Sequence, residues 1–109
     1  MSEGPSLRSL IAELASADAD VRTAATGAAT TWLVDGVAFA VLAGDVVELR
    51  LDPPIADAAT RTPDTDSSPR GPEWVRFRPR KLDQHALDRL DAWFALARRR
   101  AVTARGKTA

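Results

Sequence analysis

TWLVDGVAFAVLAGDVVELRL, residues Thr31–Leu51, is divided by two tight-turn signals, Asp35-Gly36 and Ala43-Gly44-Asp45. Between the turns stand short runs rich in apolar, β-favouring residues. Such runs joined by short turns form an antiparallel meander. The first strand is Thr30–Val34 and carries Trp32. Asp35-Gly36 suits a type I′ turn, whose two central residues both need positive φ. The second strand is Val37–Leu42. Strict alternation puts Val37, Phe39 and Val41 on one face and Ala38, Ala40 and Leu42 on the other. Both sets are apolar, which predicts a central strand covered on both sides. The third strand, Val46–Leu51, turns Val47, Leu49 and Leu51 one way and Val46, Glu48 and Arg50 the other.

Upstream, Pro5–Ala17 reads as a helix. Leu7, Leu10, Ile11 and Leu14 form one apolar stripe, with Ser2 or Gly4 available to begin it and Pro5 suited to a first helical position. Thr23–Ala29 is small and weakly patterned and reads as a loop. Downstream, Asp52-Pro53-Pro54 stops the third strand, and Asp52 can cap a short helix over Ile55–Arg61. Thr62–Pro72, TPDTDSSPRGP, is a polar stretch of eleven residues with three prolines. It reads as a loop, and loops of that length are mobile or functional. Glu73–Arg78 is a fourth strand, with Val75 and Phe77 toward the core and Trp74, Arg76 and Arg78 on the other side. A last helix begins at Asp83. Leu82 and Leu87 are spaced as a hydrophobic staple, and Leu87, Leu90, Phe94, Ala97 and Ala101 form the buried stripe beside Trp93. From Thr103 onward a frayed tail is expected.

These elements predict an α+β fold: a single antiparallel sheet of about four strands with N-terminal and C-terminal helices packed on it. Residues 1–102 form one domain and 103–109 the tail. At 109 residues, 45% hydrophobic and 28% charged, the chain can build one core and no more. Cysteine is absent, which excludes disulfides, thiolate metal sites and cysteine nucleophiles. No apolar run approaches the roughly 20 residues that span a bilayer. The opening residues lack the apolar core of a secretory signal, so the expected compartment is the cytoplasm, without membrane partners.

The zero net charge hides a segregation: residues 1–66 hold four basic and eleven acidic residues, and residues 67–109 hold eleven basic and four acidic. Either the two sets neutralise each other around the fold, or the last strand and helix form a basic face for an anion or nucleic acid. The first candidate site is Arg70, Trp74, Arg76 and Arg78, since Arg and Trp together bind phosphate, carboxylate or a stacked base. The commoner arrangement has Arg70 paired with an acid such as Asp52 or Glu48, and Trp74 packed under a helix. The second candidate is the basic group Arg98, Arg99 and Arg100, with Arg105 and Lys107 beyond, suited to nucleic acid. Its commoner use is to complement a helix dipole. His85 stands alone without triad partners, and Asp88 and Asp91 are neighbours on a solvated helix face. No catalytic residue, metal site or cofactor motif is read from the sequence.

VDGVAFAVLAGDVVELRL, then GPEWVRFRP, then a helix ending WFALARRRA, resembles the small bacterial TfoX N-terminal / MmcQ–YjbR-like group. The matching residues are Gly36, Phe39, Asp45, Leu49, Trp74, Val75 and Trp93, over about 80 residues from Thr30 to Ala101. Where that group has a Phe-Gly-Gly-like approach to the hairpin, this chain has Ala28-Ala29-Thr30-Thr31. A lesser resemblance, in the ending alone, is to small domains labelled luciferase-family. The main resemblance implies an α+β fold, helices on an antiparallel sheet, and no established catalytic residue; it is associated with competence regulation. The resulting expectation is a non-enzymatic binding or regulatory module acting through protein contacts or weak anion binding. A nucleic-acid-binding accessory protein, and a small-ligand binder or enzyme using the Arg70–Trp74 segment, are the alternatives. Monomer and homodimer both stay open, the latter through a sheet edge or the Trp93 side of the last helix.

Overall fold

The computed structural model describes residues 6–108, with side chains through Thr103. The elements run α1 (Leu7–Ser16), β1 (Val21–Thr26), β2 (Ala29–Val34), β3 (Val37–Ala43), β4 (Val46–Arg50), α2 (Pro53–Ala59), β5 (Thr65–Ser68), β6 (Gly71–Phe77) and α3 (Gln84–Thr108). The architecture is α+β with one antiparallel sheet, in the order β1-β2-β3-β4-β6-β5. The sheet has six strands, not about four. The two additions are its edges: β1 occupies most of the stretch read as the loop Thr23–Ala29, and β5 lies inside Thr62–Pro72. An edge strand pairs on one side only and need not be strongly apolar, so its pattern is weak.

Three successive two-residue turns build the first four strands. Asp35 (φ 52) and Gly36 (φ 81) both adopt positive φ, as a type I′ turn demands. Gly27 (φ 59) opens the turn between β1 and β2. The fourth hairpin, β5–β6, turns on Pro69-Arg70 and pairs Ser68 with Gly71 beyond an irregularity in β5.

All three helices contribute to one hydrophobic cluster with the same side of the sheet. α1 is capped by Ser6, whose hydroxyl accepts from the Ser9 amide, and it buries Leu7, Ile11 and Ala15. The proposed helix starts at Ser2, Gly4 or Pro5 lie outside the described residues. α2 buries Ala56 and Ala59, and α3 buries Ala86, Leu90, Trp93, Phe94, Ala97 and Ala101. The Asp83 carboxylate accepts from the Ala86 amide at 3.0 Å and so caps α3. Trp93 stands edge-on to Phe77, centroids 5.2 Å apart, so the Trp93 side of the helix is interior and cannot be a dimer face. α3 continues to Thr108, across the segment from Thr103 where a frayed tail is expected.

Alternation fails once, in β3. Trp32 pairs with Ala40 and Leu33 with Ala38, leaving Phe39 as an extra residue in the ladder. Such a bulge puts two neighbouring side chains on one face. Phe39 therefore joins Ala40 and Leu42 in the core, fully buried and edge-on to Phe94 at 5.2 Å. Val41 stays on the opposite face. It is only 6% exposed yet does not belong to the core cluster. β3 is thus covered by helices on one face and not on both.

Candidate functional site

The register assigns the face without helices. Leu33 lies opposite Ala38 between β2 and β3, Val41 opposite Glu48 between β3 and β4, and Glu48 and Arg50 opposite Arg76 and Trp74 between β4 and β6. Directly opposed residues share a face. One surface therefore carries Leu33, Ala38, Val41 and Val46 on β2, β3 and the start of β4, and Glu48, Arg50, Trp74 and Arg76 on the rest of β4 and on β6. None of these apolar side chains belongs to the core cluster. Thr31 lies opposite Val41 and the exposed Arg22 of β1 opposite Leu33, so the aliphatic strip is bordered by Arg22 on one side and by the charged residues of β4 and β6 on the other.

Glu48 is the hub of the charged half. Its side chain is 14% exposed. One carboxylate oxygen accepts from the Ser68 hydroxyl at 2.5 Å and the other from Arg70 Nε at 2.7 Å, with Arg76 Nε 4.0 Å away. The Ser68 oxygen also accepts from the Arg70 amide at 3.1 Å, so the β5–β6 turn is pinned to the middle of the sheet. Arg70 lies over the Trp74 ring, 5.5 Å from its centroid. Burial acts to raise the Glu48 pKa. The Ser68 hydroxyl and the two guanidiniums outweigh it and hold the group below its ordinary value of 4.5.

A second network closes the end of the sheet. Glu73 Oε1 accepts from Arg50 Nε at 2.7 Å and lies 2.8 Å from Arg100 Nη2. Arg100 Nε is 3.1 Å from Asp52, so Asp52 sits at the start of α2 but spends its carboxylate on α3, with no cap hydrogen bond. The Glu73 pKa is lowered, first by the Arg50 hydrogen bond, against desolvation, and further by Arg100. Asp64 is lowered by the backbone and side chain of Arg80.

The predicted site residues divide. Trp74 and Arg76 share the open face, and Arg70 reaches it from the turn. Arg70 is engaged by Glu48 in an ion pair, as its commoner use predicts, while Trp74 packs under no helix and stays half-buried. Arg78 turns to Asp45 at 3.2 Å and lines a groove of about 530 Å³ with Asp64, Asp66 and Arg80. The second candidate group does not form a patch. Consecutive helical residues point about 100° apart. Arg98 pairs with Asp18, Arg100 pairs with Asp52 and Glu73, and Arg99 alone faces solvent without an ion pair among the described residues. The Nε atoms of Arg98 and Arg100 are buried and meet their carboxylates without hydrogen-bond alignment. The side chains of Arg105 and Lys107 lie outside those described. Six ion pairs join a base from residues 67–109 to an acid from residues 1–66, so the charge segregation largely closes in space. His85, Asp88 and Asp91 are exposed on α3.

The sequence places Ser68 and Glu73 inside the candidate stretch Ser67–Trp74 without assigning either a role, and gives no sign that Arg50 joins them. Ser68 was hidden by the missed β5; Arg50 and Glu73 carry an i-to-j pairing that only the β4–β6 register brings together.

Compared with protein-family models, with curated proteins and with solved structures, the chain matches none. Among the described residues no helix is long and apolar enough to cross a membrane, and no group of three or more acidic or histidine side chains could hold a metal ion.

Three depressed carboxylates set a pH dependence. A carboxyl group whose folded pKa lies below its unfolded value adds stability above the unfolded pKa and loses it as pH falls through the folded one. Stability should therefore decline as pH drops below the ordinary values of 4.5 for Glu48 and Glu73 and 3.8 for Asp64. Urea unfolding measured across that range should show a shallower acid decline for Glu48→Gln than for the parent. An identical decline would remove Glu48 from the account.

Proposed function

We propose that the protein is a non-enzymatic binding module that receives a protein partner on the helix-free face of its sheet. The observation that carries this reading is a helix-free aliphatic strip of Leu33, Ala38, Val41 and Val46, bordered by Arg22 on one side and by Trp74 and Arg76 on the other. An apolar strip flanked by an aromatic and arginines has the composition of an interface. The partner it suits presents apolar side chains beside acidic ones. The order of hairpin, third strand, helix, tryptophan strand and closing helix supports kinship with the TfoX-like group, as part of the same reading.

A nucleic-acid role gains less support, because the arginines that would meet phosphates are largely spent on internal carboxylates. An enzymatic or small-ligand role at Arg70 and Trp74 is weakened by the Glu48–Arg70 pair. Photo-crosslinking residues placed at Leu33 and at Asp57, on the helix side, test the proposal in cells. A discrete protein adduct from position 33 and none from 57 is expected. Equal adducts from both, or adducts that disappear on nuclease treatment, would overturn it.

A further inference from the structure

The outer side of α3 is polarised along its length. Gln84, Asp88, Asp91, Ala95, Arg99 and Val102 follow one another at intervals of three or four and are all exposed. They form a single stripe, acidic before Ala95 and cationic after it. Neither Asp91 nor Arg99 has an ion pair among the described residues. Val102, 40% exposed, is the one large hydrophobic side chain so exposed among them. Beside the acidic half, Leu10 and Leu14 of α1 and Leu87 and Leu90 of α3 line a groove of about 230 Å³, rimmed by Glu13, Asp88 and Asp91.

We infer that this stripe is a self-complementary dimer interface, occupied by α3 of a second copy running antiparallel. A twofold axis near Ala95 exchanges the two halves of the stripe, as an isologous contact requires. Ala95 allows the helices to approach. Arg99 of each copy then meets Asp88 and Asp91 of the other, and each Val102 reaches the apolar groove behind those carboxylates. Charge complementarity selects a second copy over a generic partner, because the acidic rim and its cationic counterpart are both supplied by the same helix in the order a twofold axis needs. The interface lies on the helix side of the sheet, so both open faces stay free and point outward. The dimer does not depend on the function proposed for those faces.

Charge reversals test it. Asp88 and Arg99 are exposed, so Asp88→Lys and Arg99→Glu should leave the circular dichroism spectrum close to the parent's, and also the unfolding midpoint when it is measured at concentrations low enough for the parent to be monomeric. By sedimentation equilibrium the parent should dimerise, more weakly as salt is added. Each single variant alone should be monomeric at concentrations where the parent is dimeric, since like charges then meet twice. An equimolar mixture of the two variants should dimerise again, because a heterodimer restores both opposite-charge contacts. A monomeric parent overturns the inference. So does a dimer that survives both single variants, which would place the contact elsewhere, for instance on the open edge of β1. A mixture that stays monomeric would contradict the twofold arrangement.

Discussion

Replacing Phe39 with alanine should cost about 3–5 kcal/mol of folding stability, the range for a large side chain removed from a packed core. That is a large part of the about 5–15 kcal/mol that holds a domain of this size together. The expectation rests on the bulge in β3, which swings Phe39 into the core against Phe94. Phe39 and Phe94 should also be coupled. In a cycle of leucine substitutions, which keep the double variant folded, the two losses should fall short of additivity by about 0.5–1.5 kcal/mol, as an edge-on aromatic pair implies. Val41 is two residues along the same strand but on the other face, and its substitution should be additive with Phe94→Leu. Chemical denaturation of the single and double variants supplies every term. Coupling of Phe94 to both Phe39 and Val41 would mean that strict alternation holds and the bulge does not.

The second large effect is expected at Glu73. Its carboxylate joins Arg50 of β4 to Arg100 of α3, and Arg100 is only 17% exposed. Glu73→Gln leaves two guanidiniums short of their shared counter-charge, one of them largely out of water. The cost should be about 2–3 kcal/mol, below the figure for a fully buried pair because Glu73 itself keeps some solvent. Adding Arg100→Met to Glu73→Gln should recover part of that loss, since the desolvated cation is then gone. Urea unfolding of the two variants decides it. A double variant less stable than Glu73→Gln would show that Arg100 contributes through packing of its aliphatic stem and not through charge.

Much of the fold is legible in the sequence where burial is strong. The three meander strands, the Val75–Phe77 strand and the two long helices each bury an apolar set, and each forms near its expected start, although α3 runs on past Thr103 to Thr108. The edge strands were illegible for the same reason in reverse. β1 is exposed at every position from Arg22 to Thr26, so no hydrophobic alternation marks it. Gly27 offered the usable signal, a turn glycine nine residues before Gly36 as Gly44 lies eight after it. β5 was disguised by Pro63, Pro69 and Pro72, which flank it and do not interrupt it. The bulge at Phe39 could not be read from a strand whose two faces are both apolar, because either assignment buries hydrophobic surface. At the site, alternation placed Trp74 and Arg76 together correctly. Glu48 stood among the acids that could hold Arg70, but alternation could not show that this residue, from a strand 22 positions earlier, gathers Ser68, Arg70 and Arg76. In the triple arginine, adjacency in a helical sequence is divergence in space, so Arg98 and Arg100 turn to internal carboxylates while Arg99 faces outward.

The central claim is that the helices share one face of the sheet and leave the other open to a partner. The chain has no cysteine, so single cysteines at Ala38 and Ala40 report the two faces of one strand cleanly. In the folded protein, Ala38→Cys should react with a water-soluble maleimide without prior unfolding, while Ala40→Cys, at a position with no exposure, should react only as fast as the core opens. Equal protection at both positions would contradict the account.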